Sequence, residues 1–586
     1  MNSPTYILGI SCFYHDAAAC LIKDGQLVAA AAEERFTRKK HDNNFPSNAI
    51  AYCLKEASIE EKDIDAVGFY EKPLLKFERI VEVAANTWPK SYKSFISAIP
   101  QWLRKKLWIK ENIQKELKNF KGEIYFTEHH VAHAASSYLV SPFKEAAIVT
   151  LDGVGEWATT TIGQGTEEKI NIREEIHFPH SLGLLYAIIT HYLGFKPNSA
   201  EYKVMGLAPY GKPVYQKEIE NLIELKKDGS FKLNMDILTH DESTSFYDEE
   251  KMKKLFGFPP RIGGPLSEAH KNLAASIQTV TEKAVLAICR HAYELTKSKN
   301  LCLAGGVALN CVANGKILAE TPFENIFIEP AAGDDGGALG VAFYIWTNVL
   351  KNKRSFELKH SSWGPQFSDK EIEDFLEKKK IPYEKFSSED ELVSKTAKLI
   401  AEPGNALGWF QGRMEWGPRA LGNRSILADP RREENRDLVN LKIKFREDFR
   451  PFAPAVLKER ASEFFDLDVK ESPFMLLVNQ VKDGKKIPAV THVDGSARPQ
   501  TVSKEENLLF HKLIKAFEKE TGCPVLINTS FNVSGEPIVL NPEHAFNVFR
   551  HTNMDALVMG NFLILKKQTE AAFPRNTSWQ SQFEPD

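Results

Sequence analysis

The run Ala146-Ala147-Ile148-Val149-Thr150-Leu151 closes on Asp152-Gly153-Val154-Gly155-Glu156, and its reading decides the fold. An apolar, β-branched run bounded by glycine reads as a buried strand. Asp152 then stands at a strand's carboxyl end, where open α/β sheets present their ligands. A second strand is expected from Trp157 to Gly163, a turn at Gly165-Thr166-Glu167-Glu168, and a third strand from Lys169 to Ile176. The N-terminus repeats the order. Tyr6 to Ser11 is an apolar strand that ends in Cys12-Phe13-Tyr14-His15-Asp16, and strands at Ala17 to Ile22 and Gln26 to Ala32 flank the turn Lys23-Asp24-Gly25. Two such units, each with an acid after its first strand, predict a duplicated α/β architecture with a cleft between its halves. In such folds the two hairpins hold nucleotide phosphates, although hairpins alone are common in α/β domains.

Upstream lies His129-His130-Val131-Ala132-His133. A spacing of four puts His129 and His133 on one face of a helix. With Asp152 they form a mixed N/O set with open positions, suited to Fe, Mn or Zn. The competing reading is a chance pairing on the surface or in the core. Downstream, apolar residues from Pro265 to Ser298 recur at helical spacing and lead to a strand, Asn300 to Ala304, and then to Gly305-Gly306-Val307-Ala308-Leu309-Asn310. Strand, paired glycine and helix is a geometry that cradles a phosphate or nucleoside, or merely a packing turn. The arrangement recurs where a strand at 326–328 leads to Gly333-Asp334-Asp335-Gly336. Either acid is a candidate fourth ligand, and either can cap the following helix.

With 586 residues the chain exceeds one hydrophobic core, so two or three domains are expected. We place them at 1–355 and 371–586, with a linker at 356–370 after the polar start of Lys351 to Pro365, and a helix near Asp369 to Lys379. A net charge of −3 provides no bulk attraction for nucleic acid. The 7 cysteines form no CxxC pair, which argues against a disulfide framework or zinc ribbon and for a reducing compartment. No apolar run approaches the roughly 20 residues of a membrane span, and the start lacks a signal peptide, so a cytoplasmic protein with no membrane partner is expected.

The second half carries a basic, glycine-rich cluster. Gly408 to Ser425 is dense in Gly, Arg and aromatic residues and includes Arg419. Lys444, Arg446 and Arg450 follow within seven residues, Arg498 stands among Gly and Pro, and a strand from Pro524 runs into Asn528-Thr529-Ser530. Arginine forks with amide and hydroxyl groups match a compact anion such as a phosphate ester or mixed anhydride. For any one arginine a solvated surface charge is the competing reading.

Taken together, several stretches resemble the nodulation-type O-carbamoyltransferases, a family that includes antibiotic-tailoring enzymes. They are His15-Asp16 with its following alanines, Glu33-Glu34-Arg35-Phe36, the histidine cluster at 129–134, Tyr202 to Gly211, Gly305 to Asn310, Gly333 to Gly336, Glu415 to Gly422 and Arg450 to Pro454. The resemblance spans nearly the whole chain. It implies an N-terminal Kae1-like (actin/Hsp70-like ATPase) domain and a C-terminal YrdC-like α/β domain. It further implies that carbamoyl phosphate loses its phosphate in the second domain, that the carbamate meets ATP to give carbamoyl-adenylate and pyrophosphate, and that a hydroxyl of a small metabolite takes the carbamoyl group in the first. Carried over by position, His129, His133, Asp152 and Asp334 match metal ligands, with Fe(II) or another divalent metal expected and Asp335 the alternative to Asp334. His15 matches a general base. Gly305, Gly306, Asn310 and Lys203 match nucleotide contacts, and Arg419, Lys444, Arg446, Arg450, Arg498, Asn528 and Ser530 match carbamoyl-phosphate contacts. The implied partner is a small hydroxylated acceptor, not nucleic acid, and a homodimer is the default oligomer. Two alternatives share features of this reading: a tRNA-threonylcarbamoylating enzyme, which predicts a broad basic surface, and a non-enzymatic nucleotide switch, which needs neither His15 nor metal. The stretch Leu74 to Lys121, with Trp88, Trp102 and Trp108, matches no motif. It reads as helical and aromatic, either a wall of an acceptor pocket or core packing.

Overall fold

The computed structural model describes residues 4–241, 243, 245–576 and 578–584. The chain forms two compact mixed α/β units, Met1–Glu33 with His41–Leu358 and Glu34–Lys40 with Lys359–Asp586. The division falls at Leu358, and 34–40, expected in the first domain, goes with the second unit. Within that unit Arg38 donates to Pro537 O at 2.7 Å and to Glu536 Oε1 at 2.8 Å. Residues 361–365 are docked rather than linker-like: Trp416 N donates to Ser361 O at 2.6 Å and Met414 N to Pro365 O at 2.9 Å.

The first unit is built from one plan used twice. Strands β1 (Tyr6–Ser11), β2 (Ala18–Lys23) and β3 (Gln26–Ala32) form an antiparallel meander, and β4 (Ala66–Phe69) and β5 (Glu123–Phe126) add parallel to β1, in the order β3-β2-β1-β4-β5. Strands β6 (Glu145–Leu151), β7 (Ala158–Thr166) and β8 (Lys169–His177) repeat the meander. After a small hairpin, β9 (Ile223–Leu225) and β10 (Phe231–Leu233), strands β11 (Asn300–Ala304) and β12 (Asn325–Ile328) add parallel to β6. The two sheets share one order and one pattern of strand directions, the duplicated actin/Hsp70-like layout. β1 is buried along its length and β6 along all but its first residue, which is why each reads as an unbroken apolar run. The expected turn at 165–168 is tighter than the sequence suggested. Strand β7 runs through Thr166, and the reversal falls on Glu167 at φ 51°.

Each half ends in a helix, His129–Tyr138 in the first and Gly336–Tyr344 in the second, and these two helices touch backbone to backbone. A Cβ on Gly340 would lie 1.9 Å from Ala132 O, and one on Gly9 of β1 would lie 1.9 Å from Ala338 O. The Gly336–Tyr344 helix is therefore wedged between β1 and the histidine-bearing helix, with no room for a methyl group at either contact.

The second unit is organised on an eight-stranded mixed sheet. From one edge it runs β13 (Glu384–Lys385), β22 (Phe562–Leu565), β21 (Ala556–Met559), β14 (Ala406–Phe410), β15 (Arg424–Ala428), β20 (Val525–Ser530), β16 (Ala453–Leu457) and β19 (Gln500–Val502). Short β17 (Asn479–Gln480) and β18 (Ser496–Ala497) pair separately. The expected helix at Asp369–Lys379 forms, started by a capping box between Ser368 and Glu371. The strand expected to run into Asn528-Thr529-Ser530 forms as β20, and these are its last three residues. Arg424, the first residue of β15, spends its guanidinium on backbone carbonyls. It is fully buried, donates to the carbonyls of Gln411, Asn423, Gly412 and Pro365, and stacks 3.7 Å from the Phe410 ring centroid.

Core packing accounts for only one tryptophan of the unassigned stretch, because Trp102 is 5% exposed whereas Trp88 and Trp108 are 58% and 50% exposed. Among the described residues no helix is long and apolar enough to cross a membrane. Gly340→Ala is expected to lower the free energy of unfolding by about 2 kcal/mol or more, the cost of overpacking a site that cannot give. A urea midpoint equal to that of the unsubstituted protein would show that the two helices tolerate separation.

Candidate functional site

Four side chains from three elements converge at the strand ends of the first unit. The His129–Tyr138 helix supplies His129 and His133, the loop after β6 supplies Asp152, and the loop after β12 supplies Asp334. Their nearest ligand-type atoms all lie within 4.8 Å of one another, and all four residues are buried. His133 Nε2 is 3.1 Å from His129 Nε2, His129 Nε2 is 3.2 Å from Asp152 Oδ2, and Asp334 Oδ1 is 3.6 Å and 3.7 Å from the two Nε2 atoms.

The local structure explains the convergence. Glu156, four residues beyond Asp152, accepts the backbone N–H of His129 at 3.0 Å and that of Lys72 at 2.6 Å. Its carboxylate thus satisfies the start of the histidine helix and ties that helix to the Asp152 loop. Gly155 lets the loop pass close, since a Cβ there would lie 2.9 Å from the His130 ring. Asp152 Oδ1 accepts the Gly306 N–H at 2.8 Å, leaving Oδ2 toward His129. The two acids of the Gly333–Gly336 loop take separate positions. Asp334 turns to the histidines, while Asp335 Oδ1 accepts the Gly336 N–H as the helix cap.

Electrostatics distinguishes His129 from His130. Burial alone would lower the His129 pKa, but its bond to Asp152 and the charge of Asp334 override that and push it up to about 9. His130 goes the other way, held well below the usual range by burial and by its two histidine neighbours, with Nδ1 hydrogen-bonded to Thr150 Oγ1 at 2.6 Å. Two buried carboxylates and two facing imidazoles ask for positive charge, and one proton cannot serve every pair. The N₂O₂ set fits a divalent ion of the Fe, Mn or Zn type. The outer ring nitrogens, His129 Nδ1 and His133 Nδ1, are buried without a hydrogen-bond partner, so packing holds the rings instead, as Tyr70 does 5.3 Å from His129.

The other predicted residues fall into three groups. His15 stands after β1 in a cluster that the sequence showed only in part. Asp16 accepts His15 Nδ1 at 2.8 Å and His41 Nδ1 at 2.9 Å, and His15 Nε2 donates to Asn198 O at 2.5 Å. His41 carries no spacing signal, because it reaches Asp16 only through the fold. Gly305 and Gly306 lie against the Asp152 loop, and Gly305 adopts φ 92°, where a Cβ would strike Leu151 O at 2.2 Å. Asn310 caps the Cys311–Glu320 helix through Ala313 N at 3.1 Å and exchanges two bonds with Gln278. Lys203 is buried on the Glu201–Leu207 helix, whose Met205 meets Cys311 at 3.7 Å between the sulfurs.

In the second unit Lys444 is 3% exposed and donates to Ser530 O at 2.7 Å, Ser530 Oγ at 3.0 Å and Asn532 O at 2.9 Å. Asn532, which the sequence reading left unassigned, is thus as close to Lys444 as Ser530 is. Burial, with Arg446 and Arg450 adjacent, holds the Lys444 ammonium well below the usual lysine range. Arg446 is aligned by Asn440 Oδ1 at 2.7 Å, and Arg450 lies 3.6 Å from Glu447. Asn528 donates to Gln500 Oε1 at 2.7 Å and to Ala420 O at 3.3 Å, next to Arg419 in sequence, and Arg498 is half-buried two residues before Gln500. Lys444, Arg446, Arg450 and Ser530 lie together as one cluster.

Metal uptake tests the first-unit centre. The carboxylates that raise His129 to about 9 hold a proton that a metal must displace, so affinity is expected to climb with pH from about 6.5 to 9. Asp334→Ala and His133→Ala should each lose the ion, measured by equilibrium dialysis with metal analysis. Unchanged retention in both variants would place any bound metal elsewhere.

Residues 6–343 match the carbamoyltransferase N-terminus family and residues 397–566 the carbamoyltransferase C-terminus family. The chain is 48% identical to an uncharacterized protein of Synechocystis sp. over 99% of its own length and 100% of that protein's. It is 40% identical to the nodulation protein NolNO of Sinorhizobium fredii, covering 95% of this chain and 79% of that one. It is also 37% identical to a 3'-hydroxymethylcephem-O-carbamoyltransferase of Amycolatopsis lactamdurans, over 42% of this chain and 45% of the relative. The duplicated first unit, the mixed-sheet second unit and these matches make the chain an enzyme of the carbamoyltransferase family.

Proposed function

We propose that this enzyme moves the carbamoyl group of carbamoyl phosphate to a hydroxyl of a small metabolite by way of carbamoyl-adenylate, using ATP and a divalent metal for which iron is the expectation. The observation that carries the reading is the buried His129–His133–Asp152–Asp334 centre at the strand ends of a duplicated ATPase-type unit. In the second unit, water releases phosphate from carbamoyl phosphate and leaves carbamate. The Lys444 cluster supplies the charge for that anion: two guanidiniums flank an ammonium already oriented by Ser530 and Asn532. A carbamate oxygen then displaces pyrophosphate from the α-phosphorus of ATP. In the first unit the acceptor hydroxyl attacks the carbamoyl carbon, AMP leaves, and the hydroxyl proton passes to a base. When bound, the metal supplies Lewis-acid polarisation of phosphate oxygens. The Gly305-Gly306 turn lets the backbone approach the nucleotide, and buried carboxylates hold the two histidines in register.

His15 is the proposed base. Burial would lower its pKa, but the Asp16 carboxylate overrides this and pushes it to about 10, and both ring nitrogens are engaged. The ring is 29% exposed, so water moderates the effect. His15 therefore carries its proton at neutral pH in this state. It becomes a base once Nε2 loses its proton to solvent and turns from Asn198 O to the acceptor hydroxyl, whose proton it then accepts.

Purified protein given carbamoyl phosphate, ATP and a panel of hydroxylated acceptors is expected to release AMP, pyrophosphate and phosphate. Absence of AMP and pyrophosphate with every acceptor, in protein that binds no iron, overturns the proposal. His15→Asn should slow carbamoyl transfer by about 10²-fold or more. The sign of the pH effect follows from the raised pKa: below it the imidazolium cannot accept a proton, so the rate climbs toward alkaline pH. Asp16→Asn removes the charge that raises it and should move the rising limb to lower pH in a kcat profile. A limb unmoved by that substitution would show that His15 is not the titrating group.

A further inference from the structure

A second feature of the first unit lies outside everything assigned so far. The Pro73–Asn86 and Tyr92–Arg104 helices, part of the stretch without a motif, wall a cavity of about 270 Å³. Its lining includes Val83 and Arg79 of the first helix, Phe95 of the second, Phe178, Tyr14 and Val154. Tyr14 adjoins His15 in the chain and Val154 lies two residues past Asp152, so the cavity borders both groups of the proposed transfer site. Its walls are mostly apolar and aromatic, with Ser91 and Ser94 among the few hydroxyls.

Arg79 is the group this cavity leaves unexplained. It is 7% exposed, and its Nε and Nη1 are buried without a hydrogen-bond partner. Its guanidinium lies 4.8 Å from the Phe178 ring centroid. The acids around it are committed elsewhere. Glu71 Oε2 accepts Lys76 Nζ at 2.5 Å, and Glu156 accepts the backbone N–H groups of Lys72 and His129. Lys76 in turn lies 3.8 Å from the Tyr14 ring centroid, which fixes that wall. Asp241 also lies on the wall. A buried guanidinium with idle donors is costly, and folding alone does not account for it.

We propose that this cavity receives the acceptor and that Arg79 binds a carboxylate on it, so the natural acceptor is a hydroxy acid with an apolar or aromatic body. The assignment rests on the acceptor chemistry proposed above. A planar guanidinium on an aromatic face pairs with a carboxylate in two parallel bonds. A phosphate dianion fits less well, because one arginine must balance it beside Glu71 and Glu156. The volume suits a small acceptor, and its position lets the hydroxyl end extend from Arg79 toward Tyr14 and His15.

The test is equilibrium binding to the full-length protein without ATP or carbamoyl phosphate, using 4-(hydroxymethyl)benzoate, its amide and the corresponding phosphonate. The benzoate is expected to bind about tenfold or more tighter than the amide, and tighter than the phosphonate. Arg79→Gln should erase the preference for the acid, while Arg79→Lys retains part of it. Ser94→Asp, which puts a competing carboxylate in the cavity and keeps Arg79, should erase it too and covers the case in which Arg79→Gln fails to fold. Equal binding of acid and amide by the unsubstituted protein, a preference that survives both Arg79→Gln and Ser94→Asp, or tighter binding of the phosphonate overturns the assignment. The two proposals fail separately. Arg79-dependent binding without carbamoylation of any acceptor refutes the reaction and supports the cavity, whereas carbamoylation indifferent to acceptor charge refutes the cavity and supports the reaction.

Discussion

In the first unit the last helix of each half meets the other backbone to backbone. At Gly340 the backbone of the Gly336–Tyr344 helix rests on Ala132 O, one residue before His133. The same helix presses on β1 at Gly9. Because no side chain can intervene, the separation of the two halves is set by backbone atoms, which deform little. The distance from Asp334, just before one helix, to His129 and His133 on the other follows from that contact. A fold held apart by ordinary side chains could drift by the ångström or so that separates a converging set of ligands from a scattered one.

Charge then does what packing leaves undone. Three acids of the first unit each have an assigned donor: buried Glu156 the start of the histidine helix, buried Asp152 the Gly306 N–H, and half-buried Asp16 two imidazoles. Buried carboxylates are stable only with such partners. Each therefore fixes a loop or a ring as well as contributing charge. The second unit shows the complementary case. Lys444 is buried among carbonyl and hydroxyl oxygens that orient it, and that burial, with Arg446 and Arg450 beside it, depresses its proton affinity.

Much of this was legible in the chain. The strands β1, β6 and β11 are buried, short and apolar, so their composition announces them, and the HxxxH spacing places two imidazoles on one helical face whatever surrounds it. Position after a strand likewise singled out Asp152, the Asp334–Asp335 pair and Gly305. Other features were hidden for a physical reason. His41 and Asp16 are 25 residues apart and meet only because a loop returns past β1. Arg79 looks like any surface cation on an amphipathic helix, and its isolation is a property of what the neighbouring carboxylates already bind. Arg424 and Arg413 carried the same local signature as Arg419, Arg446 and Arg450, yet Arg413 donates to the carbonyls of Trp363 and Gly364 and Arg424 to four others. Local sequence does not say which way a long side chain turns.

By itself the sequence determined that this is a duplicated α/β chain with a second, glycine- and arginine-rich region, and which residue types cluster at its strand ends. Period, capping and turn chemistry are local, so they survive being read one segment at a time. Only the tertiary structure decided which of those residues face one another. It separated Asp334 from Asp335, gave Asp16 two histidines, assigned 34–40 to the second unit and left Arg79 unpaired beside a cavity. Those outcomes depend on contacts between segments far apart in the chain, and the free energy of such contacts is set by the partners that folding brings together.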